Sequence, residues 1–259
     1  MNYQNLILTK EDGIGIVTIK PHKSVNLLNI EVFIELNKMF IDIESDPDIR
    51  VVILTGTGNA FVAGVDITDM KDNNPVSIER FIKIAREAGD RIYHLSKPVI
   101  AAINGYAFGG GNELALACDL RIASENARFG QQEINFGIIP GGGAIQRLNR
   151  MVGMTRAKEI VYTGEVFDAN QALETGLINK MVPPDKLMDE ARALAHKLLS
   201  KSSVALAYAK KAFNTGADMS LSAAMDIDES YFARCFASED QKEGMEAFLE
   251  HRKPDFKNR

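Results

Sequence analysis

The segment from Asn104 to Gly143, NGYAFGGGNELALACDLRIASENARFGQQEINFGIIPGGG, constrains this chain more than any other. It places two glutamates, Glu113 and Glu133, twenty positions apart, each beside glycine-bearing turns and among small or apolar residues. A carboxylate is costly to bury without partners or a task. Two of them flanking Gly-rich backbone suggest an acid/base pair beside a site where main-chain N–H groups meet a ligand.

The three glycines Gly109–Gly111 precede a helix expected over Leu114–Cys118. Glycine lets backbone approach a ligand closely, and a helix N-terminus carries unpaired N–H groups and partial positive charge. An oxyanion or carbonyl oxygen could be held there; a tight strand-to-helix turn packed on other backbone fits the same residues. Glu113 falls in the first turn of this helix, where the dipole favours its carboxylate and lowers its pKa. A glutamate near a helix start is common for that reason alone. Glu133 has Phe129, Ile134, Phe136, Ile138 and Ile139 nearby, so desolvation is expected to raise its pKa, as suits a proton donor. Taken by itself, it also reads as an exposed loop residue. Ala60–Ile67 follows an apolar strand, and Gly64 could turn the N–H of Val65 towards the ligand as a second donor beside Gly110. A strand-end bulge fits that segment too.

Elsewhere the pattern is that of an α/β protein. Leu6–Thr9 and Ile14–Ile19 read as strands joined at Glu11-Asp12-Gly13. Asn29 caps a helix from Ile30, with Ile30, Phe33, Ile34 and Ile41 at helical spacing. Val51–Thr55, Val99–Ile103 and Leu120–Ala123 read as strands, and Ile78–Leu95 as a helix. The polar stretch from Asp66 to Val76 reads as a loop or frayed helix. After Asp185 the character changes to helices over Asp185–Ser200, Val204–Thr215, Leu221–Phe236 and Asp240–His251, the last with a candidate capping box from Ser238 and Gln241. This divides the chain into a core, 1–184, and a helical region, 185–259. No repeat of fixed period is present.

Among 259 residues, 46% are hydrophobic and the net charge is −5. The acidic balance argues against broad nucleic-acid binding. Val99–Cys118 is broken by Asn104, Asn112 and Glu113, so it reads as buried core rather than a membrane span, and no signal peptide is recognised at the N-terminus. Cys118 reads as a buried hydrophobe, and neither it nor Cys235 has a CxxC partner or a His at metal-ligand spacing. Two unpaired thiols fit a reducing, cytoplasmic location. His22, His94, His196 and His251 are scattered and expected to be exposed. Gly56-Thr57-Gly58 lacks the third glycine of a dinucleotide fingerprint, and neither a phosphate loop nor a Gly-x-Ser-x-Gly nucleophile is present.

Five segments together carry a resemblance: KSVNLLN (23–29), AFVAGVDITDM (60–70), KPVIAAINGYAFGGGNELALACDLRIAS (97–124), ARFGQQEINFGIIPGGGAIQRL (127–148) and EDQKEGMEAFLEHRKPDFKNR (239–259). Along nearly its whole length the chain resembles the enoyl-CoA hydratase/isomerase (crotonase) superfamily, its last segment particularly the short-chain bacterial crotonases. The resemblance implies a spiral of ββα units, a C-terminal helical trimerisation region and a homohexamer built as a dimer of trimers. It makes the N–H groups of Val65 and Gly110 the oxyanion hole and places Glu113 and Glu133 on the two catalytic glutamates. It assigns Lys23, Val25, Val65, Asp66, Ile67, Thr68 and Gly110 to binding of CoA or the acyl thioester, and Phe248 to a neighbouring subunit's CoA.

The implied reaction is reversible hydration of a 2-enoyl-CoA, Glu113 activating the water and Glu133 protonating C2, with the opposite division open. No metal or separate cofactor is implied, since CoA is part of the substrate. A cyclic dienoyl-CoA hydratase or a double-bond isomerase on the same scaffold is the nearer alternative; a non-catalytic RNA-binding or scaffold protein is the alternative of another class. Departures from the family pattern at Val65, Asn112 and Gly141–Ala144 are expected to line or adjoin the acyl pocket.

Overall fold

The computed structural model describes residues 3–21 and 25–259. In chain order the strands and helices are β1 (Leu6–Glu11), β2 (Ile14–Ile19), α1 (Ile30–Ser45), β3 (Val51–Gly56), β4 (Ala60–Val62), α2 (Pro75–His94), β5 (Val99–Ile103), β6 (Tyr106–Phe108), α3 (Gly110–Ala117), β7 (Leu120–Ser124) and β8 (Arg128–Gly130). There follow α4 (Ala144–Val152), α5 (Met154–Thr163), β9 (Phe167–Asp168), α6 (Ala169–Glu174), β10 (Lys180–Val182), α7 (Leu187–Leu199), α8 (Ser203–Gly216), α9 (Leu221–Cys235) and α10 (Glu239–Leu249). Short 3-10 turns occupy Ile67–Asp69, Glu133–Phe136 and Pro184–Lys186.

β1 and β2 form a hairpin whose two turn residues, Asp12 and Gly13, both have positive φ. That geometry matches the right-handed twist of the strands it joins. The larger sheet runs β1-β2-β3-β5-β7-β10, parallel from β2 onward, and the smaller runs β4-β6-β8-β9. Successive units β3-β4-α2 and β5-β6-α3 each send one strand to each sheet and then a helix, so the chain winds as a spiral. The starts of β3, β5 and β7 at residues 51, 99 and 120 are unevenly spaced, which is why the structural repeat leaves no fixed period in the sequence.

Alternate residues of the larger sheet serve two cores. Val52, Leu54, Val99, Ala101 and Ile103 face the spiral interior with α1, α2 and α3, whereas Val51, Ile53, Ile100 and Ala102 pack against Leu187, Ala191 and Ala195 of α7. With both faces covered, these strands read as continuous apolar runs. α8 packs on α9 and is pinned to the core by Lys210, whose ammonium donates to Asp119 Oδ2 at 2.8 Å and to the Ile92 and Lys97 carbonyls.

Several expectations need correction. α1 is capped by Asn29, whose side chain accepts from Val32 N–H, but it buries Val32, Phe33, Leu36, Met39, Phe40 and Ile43; Ile34 and Ile41 point to solvent. α2 begins at Pro75 rather than near Ile78, because Asn74 and Ser77 form a capping box and Pro75 suits the first helical position. Ser238 caps α10 by accepting from the Gln241 N–H, but the Gln241 side-chain amide donates to Met245 Sδ instead of returning to the cap. α3 starts inside the glycine run, with Glu113 still in its first turn. Cys118 is buried, its thiol pushed up to about 12 by desolvation, and His94, His196 and His251 are exposed; His22 lies outside the described residues. Among the described residues, no helix is long and apolar enough to cross a membrane.

Candidate active site

A cavity of about 1120 Å³ opens between α2, α3, the 3-10 turn after β4 and the loop from Gln132 to Gly142. One wall is apolar, with Phe33, Met70, Ile78, Phe81, Ile82 and Ala85 at its surface. The other wall carries the polar chemistry. β6 ends at Phe108, and Gly109, at φ 49, turns the chain into α3 so that Gly110 and Glu113 border the cavity. A side chain at Gly109 would be strained by that φ, and its Cβ would lie 2.9 Å from Glu133 Oε1.

Gly64 and Val65 border the same cavity from the other side. The Gly110 backbone packs on the Val65 side chain: a methyl group built on Gly110 would sit 2.7 Å from Val65 Cγ2. Leu28 holds this edge in place, its N–H donating to Gly64 O and its carbonyl accepting from Asp66 N–H. Among the described residues, neither Val65 N–H nor Gly110 N–H has a hydrogen-bond acceptor. Two unpaired donors at the rim of an apolar cavity suit an oxygen that gains negative charge.

The two carboxylates meet different surroundings. Glu113 is almost wholly buried, and its Oε1 accepts from the Gly142 N–H at 2.7 Å and the Ala144 N–H at 3.1 Å. Its side chain thus leaves its own helix and seats at the N-terminus of α4. Burial raises its pKa, opposed by the Ala144 and Gly142 amides and the Arg147 charge. The expected downward shift from the α3 dipole is therefore reversed, because desolvation outweighs the donors. Glu133 opens the 3-10 turn Glu133–Phe136, and its buried Oε2 has no hydrogen-bond partner. Burial pushes its pKa up to about 7 against a hydrogen bond from its own backbone N–H, with a smaller upward contribution from the Glu113 charge.

Of the residues singled out from sequence, Glu113, Glu133, Val65, Gly110 and Ile67 share this cavity. Asp66 and Thr68 do not line it. The Asp66 carboxylate caps the 3-10 turn and accepts from the Thr68 N–H and hydroxyl. Val25 and Phe248 are also away from the cavity surface, Phe248 exposed on α10, and Lys23 lies outside the described residues. Asn112 turns from the cavity, its amide meeting that of Gln131 at 3.0 Å, whereas Val65, Gly141 and Gly142 line it. Among the described residues, no three His, Cys, Asp or Glu side chains gather to hold a metal ion.

The enoyl-CoA hydratase/isomerase family profile matches residues 9–259. The chain belongs to that family. It is 44% identical over 261 residues to a short-chain-enoyl-CoA hydratase of Clostridium acetobutylicum, with 100% of both chains covered. It is 42% identical to a crotonyl-CoA hydratase of Syntrophomonas wolfei, with 99% of each covered. The crystal structure of an enoyl-CoA hydratase from Bacillus anthracis superposes with a TM-score of 0.95 at 36% identity, covering 99% of this chain and 100% of that one. The spiral of two sheets is thus the fold of this family.

Sequence reasoning does not name the amides that seat Glu113. Gly142 and Ala144 stand in the Gly-Gly-Gly-Ala run before α4, and a glycine run opening a helix is the available signal for an anion seat. Its occupant is thirty residues away in sequence, so no local pattern names it.

Proposed function

We propose that this chain is an enoyl-CoA hydratase acting on short 2-enoyl-CoA thioesters. The observation that carries this reading is the unequal seating of two carboxylates in one apolar cavity beside two unpaired N–H groups. The thioester oxygen sits against the Val65 and Gly110 amides, which stabilise the enolate-like charge formed as water adds to C3. Glu113, hydrogen-bonded by backbone amides that favour its anion, takes the proton from water. Glu133, opposed only by its own backbone N–H and pushed up to about 7, delivers a proton to C2. Substrate hydroxylated at C3 leaves with both protons of the water accounted for, one on the new hydroxyl and one passed to Glu113; the C2 proton comes from Glu133, and exchange with solvent resets the pair.

The short acyl group is suggested by the names of the two bacterial relatives. Mixing with crotonyl-CoA should remove the enoyl-thioester absorbance; no turnover with any straight-chain or cyclic enoyl-CoA would overturn the reading.

The proposal extends to assembly as a homohexamer. Phe213, Leu221, Phe232, Phe236, Phe248 and Leu249 on the C-terminal helices are all exposed in the single chain, which supports burial against other copies. Phe248 would then reach a neighbour's CoA. Light scattering should give six times the 28.5 kDa chain mass; a monomer would refute the assembly. The free thiols Cys118 and Cys235 support a reducing, cytoplasmic setting.

A further inference from the structure

Three successive glycines, Gly141–Gly143, form the turn that seats Glu113. Such a run has little conformational stiffness of its own, so its amides stay aimed at a carboxylate only if something else fixes the peptides. The structure supplies that constraint from one side chain. Arg147 Nη1 donates to the Gly142 carbonyl at 3.0 Å, and Nη2 to Asp90 Oδ1 at 3.3 Å. The guanidinium also lies over the Tyr93 ring, 5.3 Å from its centroid, and is only 16% exposed.

We propose that Arg147, anchored on Asp90 and Tyr93 of α2, is a positioning residue for Glu113, fixing the Gly142–Gly143 peptide so that the amides of the glycine turn face the Glu113 carboxylate. In a trans peptide the C=O and N–H point in opposite directions. A Gly142 carbonyl drawn towards Arg147 therefore directs the Gly143 N–H to the other side, where Glu113 lies and where that amide is one of the groups opposing protonation. The adjoining Gly142 and Ala144 amides are the two donors to Glu113 Oε1. Arg147 donates no hydrogen bond to Glu113 itself; it acts through the backbone and through its charge.

The groups around Glu113 are few. Glu133 faces it from the 3-10 turn across the cavity, and Arg147 from α4. Asp90 and Tyr93 of α2 reach it only by way of Arg147, and the other charged side chains of α2 are exposed. β4 carries no titratable side chain, and Tyr106 of β6 is exposed.

This inference rests on the hydratase reading for its kinetic readout, so the test has a second arm that does not need turnover. In the first arm, Arg147→Ala, Arg147→Gln and Arg147→Lys are assayed with crotonyl-CoA from pH 5 to 9. Arg147→Ala should lose about 10–100-fold in kcat with little change in KM, and its acid limb should move to higher pH. Added guanidinium should restore part of the rate, and Arg147→Lys should fall between. In the second arm, the carboxylate infrared band of Glu113 is titrated as the difference between each protein and the same protein carrying Glu113→Gln. The band should appear at higher pH in Arg147→Gln than in wild type. If the wild type fails to hydrate crotonyl-CoA but this titration still moves, the hydratase reading fails and the positioning role stands. Should Arg147→Ala not fold, Arg147→Lys and Arg147→Gln carry the same two readouts. Folded variants with an unmoved Glu113 titration would overturn the proposal, as would a rate loss that only tracks the folded fraction.

Discussion

The seats of Glu113 and Glu133 face each other across one cavity and solve opposite problems. Glu113 is the more deeply buried, yet it is met by the Gly142 and Ala144 amides at the start of α4. Glu133 is less buried, yet its Oε2 finds no partner, and apolar Phe136, Ile138 and Ile139 follow it along the same wall. Burial raises the pKa of both carboxyls, but only Glu113 is met by amides of another element. Backbone dipoles at the start of α4 oppose, without overcoming, the upward shift that burial gives Glu113, whereas Glu133 is opposed only by its own backbone N–H.

The largest effects should come from removing either side of the comparison. Glu113→Gln and Glu133→Gln should each lower kcat with crotonyl-CoA by about 10²–10⁴-fold. Near-wild-type hydration in either variant would break the paired account. Next comes the seat of Glu113: a Cβ at Gly142 would lie 2.5 Å from Glu113 Oε2. Gly142→Ala should therefore displace the carboxylate and reduce kcat by about 10-fold or more, with less effect on folding than on rate. A rate within twofold of wild type would show that the seat is not needed.

The smallest effect is thermodynamic. The folded protein holds a proton on Glu133 up to about pH 7, whereas its ordinary value is 4.5. Between those values the native state binds more protons than the unfolded chain, so the contribution of Glu133 to stability falls as pH rises through this window. Glu133→Gln removes that burden. At pH 8 its Tm should exceed that of wild type by about 2–4 °C, if roughly 1 kcal/mol survives solvent screening. Near pH 4 the difference should shrink. A lower Tm at pH 8 would contradict the desolvated seat.

Much of this architecture is legible in the residues. Strands β3, β5 and β7 stand out because the larger sheet is covered on both faces, and the Gly109–Gly111 run correctly puts Glu113 in a first helical turn. Other features are silent for physical reasons. β4, β6 and β8 have three residues each, too few to show a period. The apolar spacing of α1 suggested a face containing Ile34 and Ile41, but the core lies on the side of Val32, Leu36, Met39 and Ile43. The α3 dipole, visible in the sequence, predicts a lowered Glu113 carboxyl, whereas its burial and its donors on the turn before α4 arise only from tertiary packing. The part played by Arg147 depends on the same packing, which brings α2 and α4 together around one guanidinium.

The pH dependence of kcat/KM for crotonyl-CoA separates the role of Glu133 as acid from that of Glu113 as base. The wild type should lose activity as pH rises through about 7. The residual activity of Glu133→Gln should lack that alkaline limb, while Glu113→Gln should keep it. An alkaline limb retained in Glu133→Gln and lost in Glu113→Gln would contradict the account and exchange the roles of the two carboxylates.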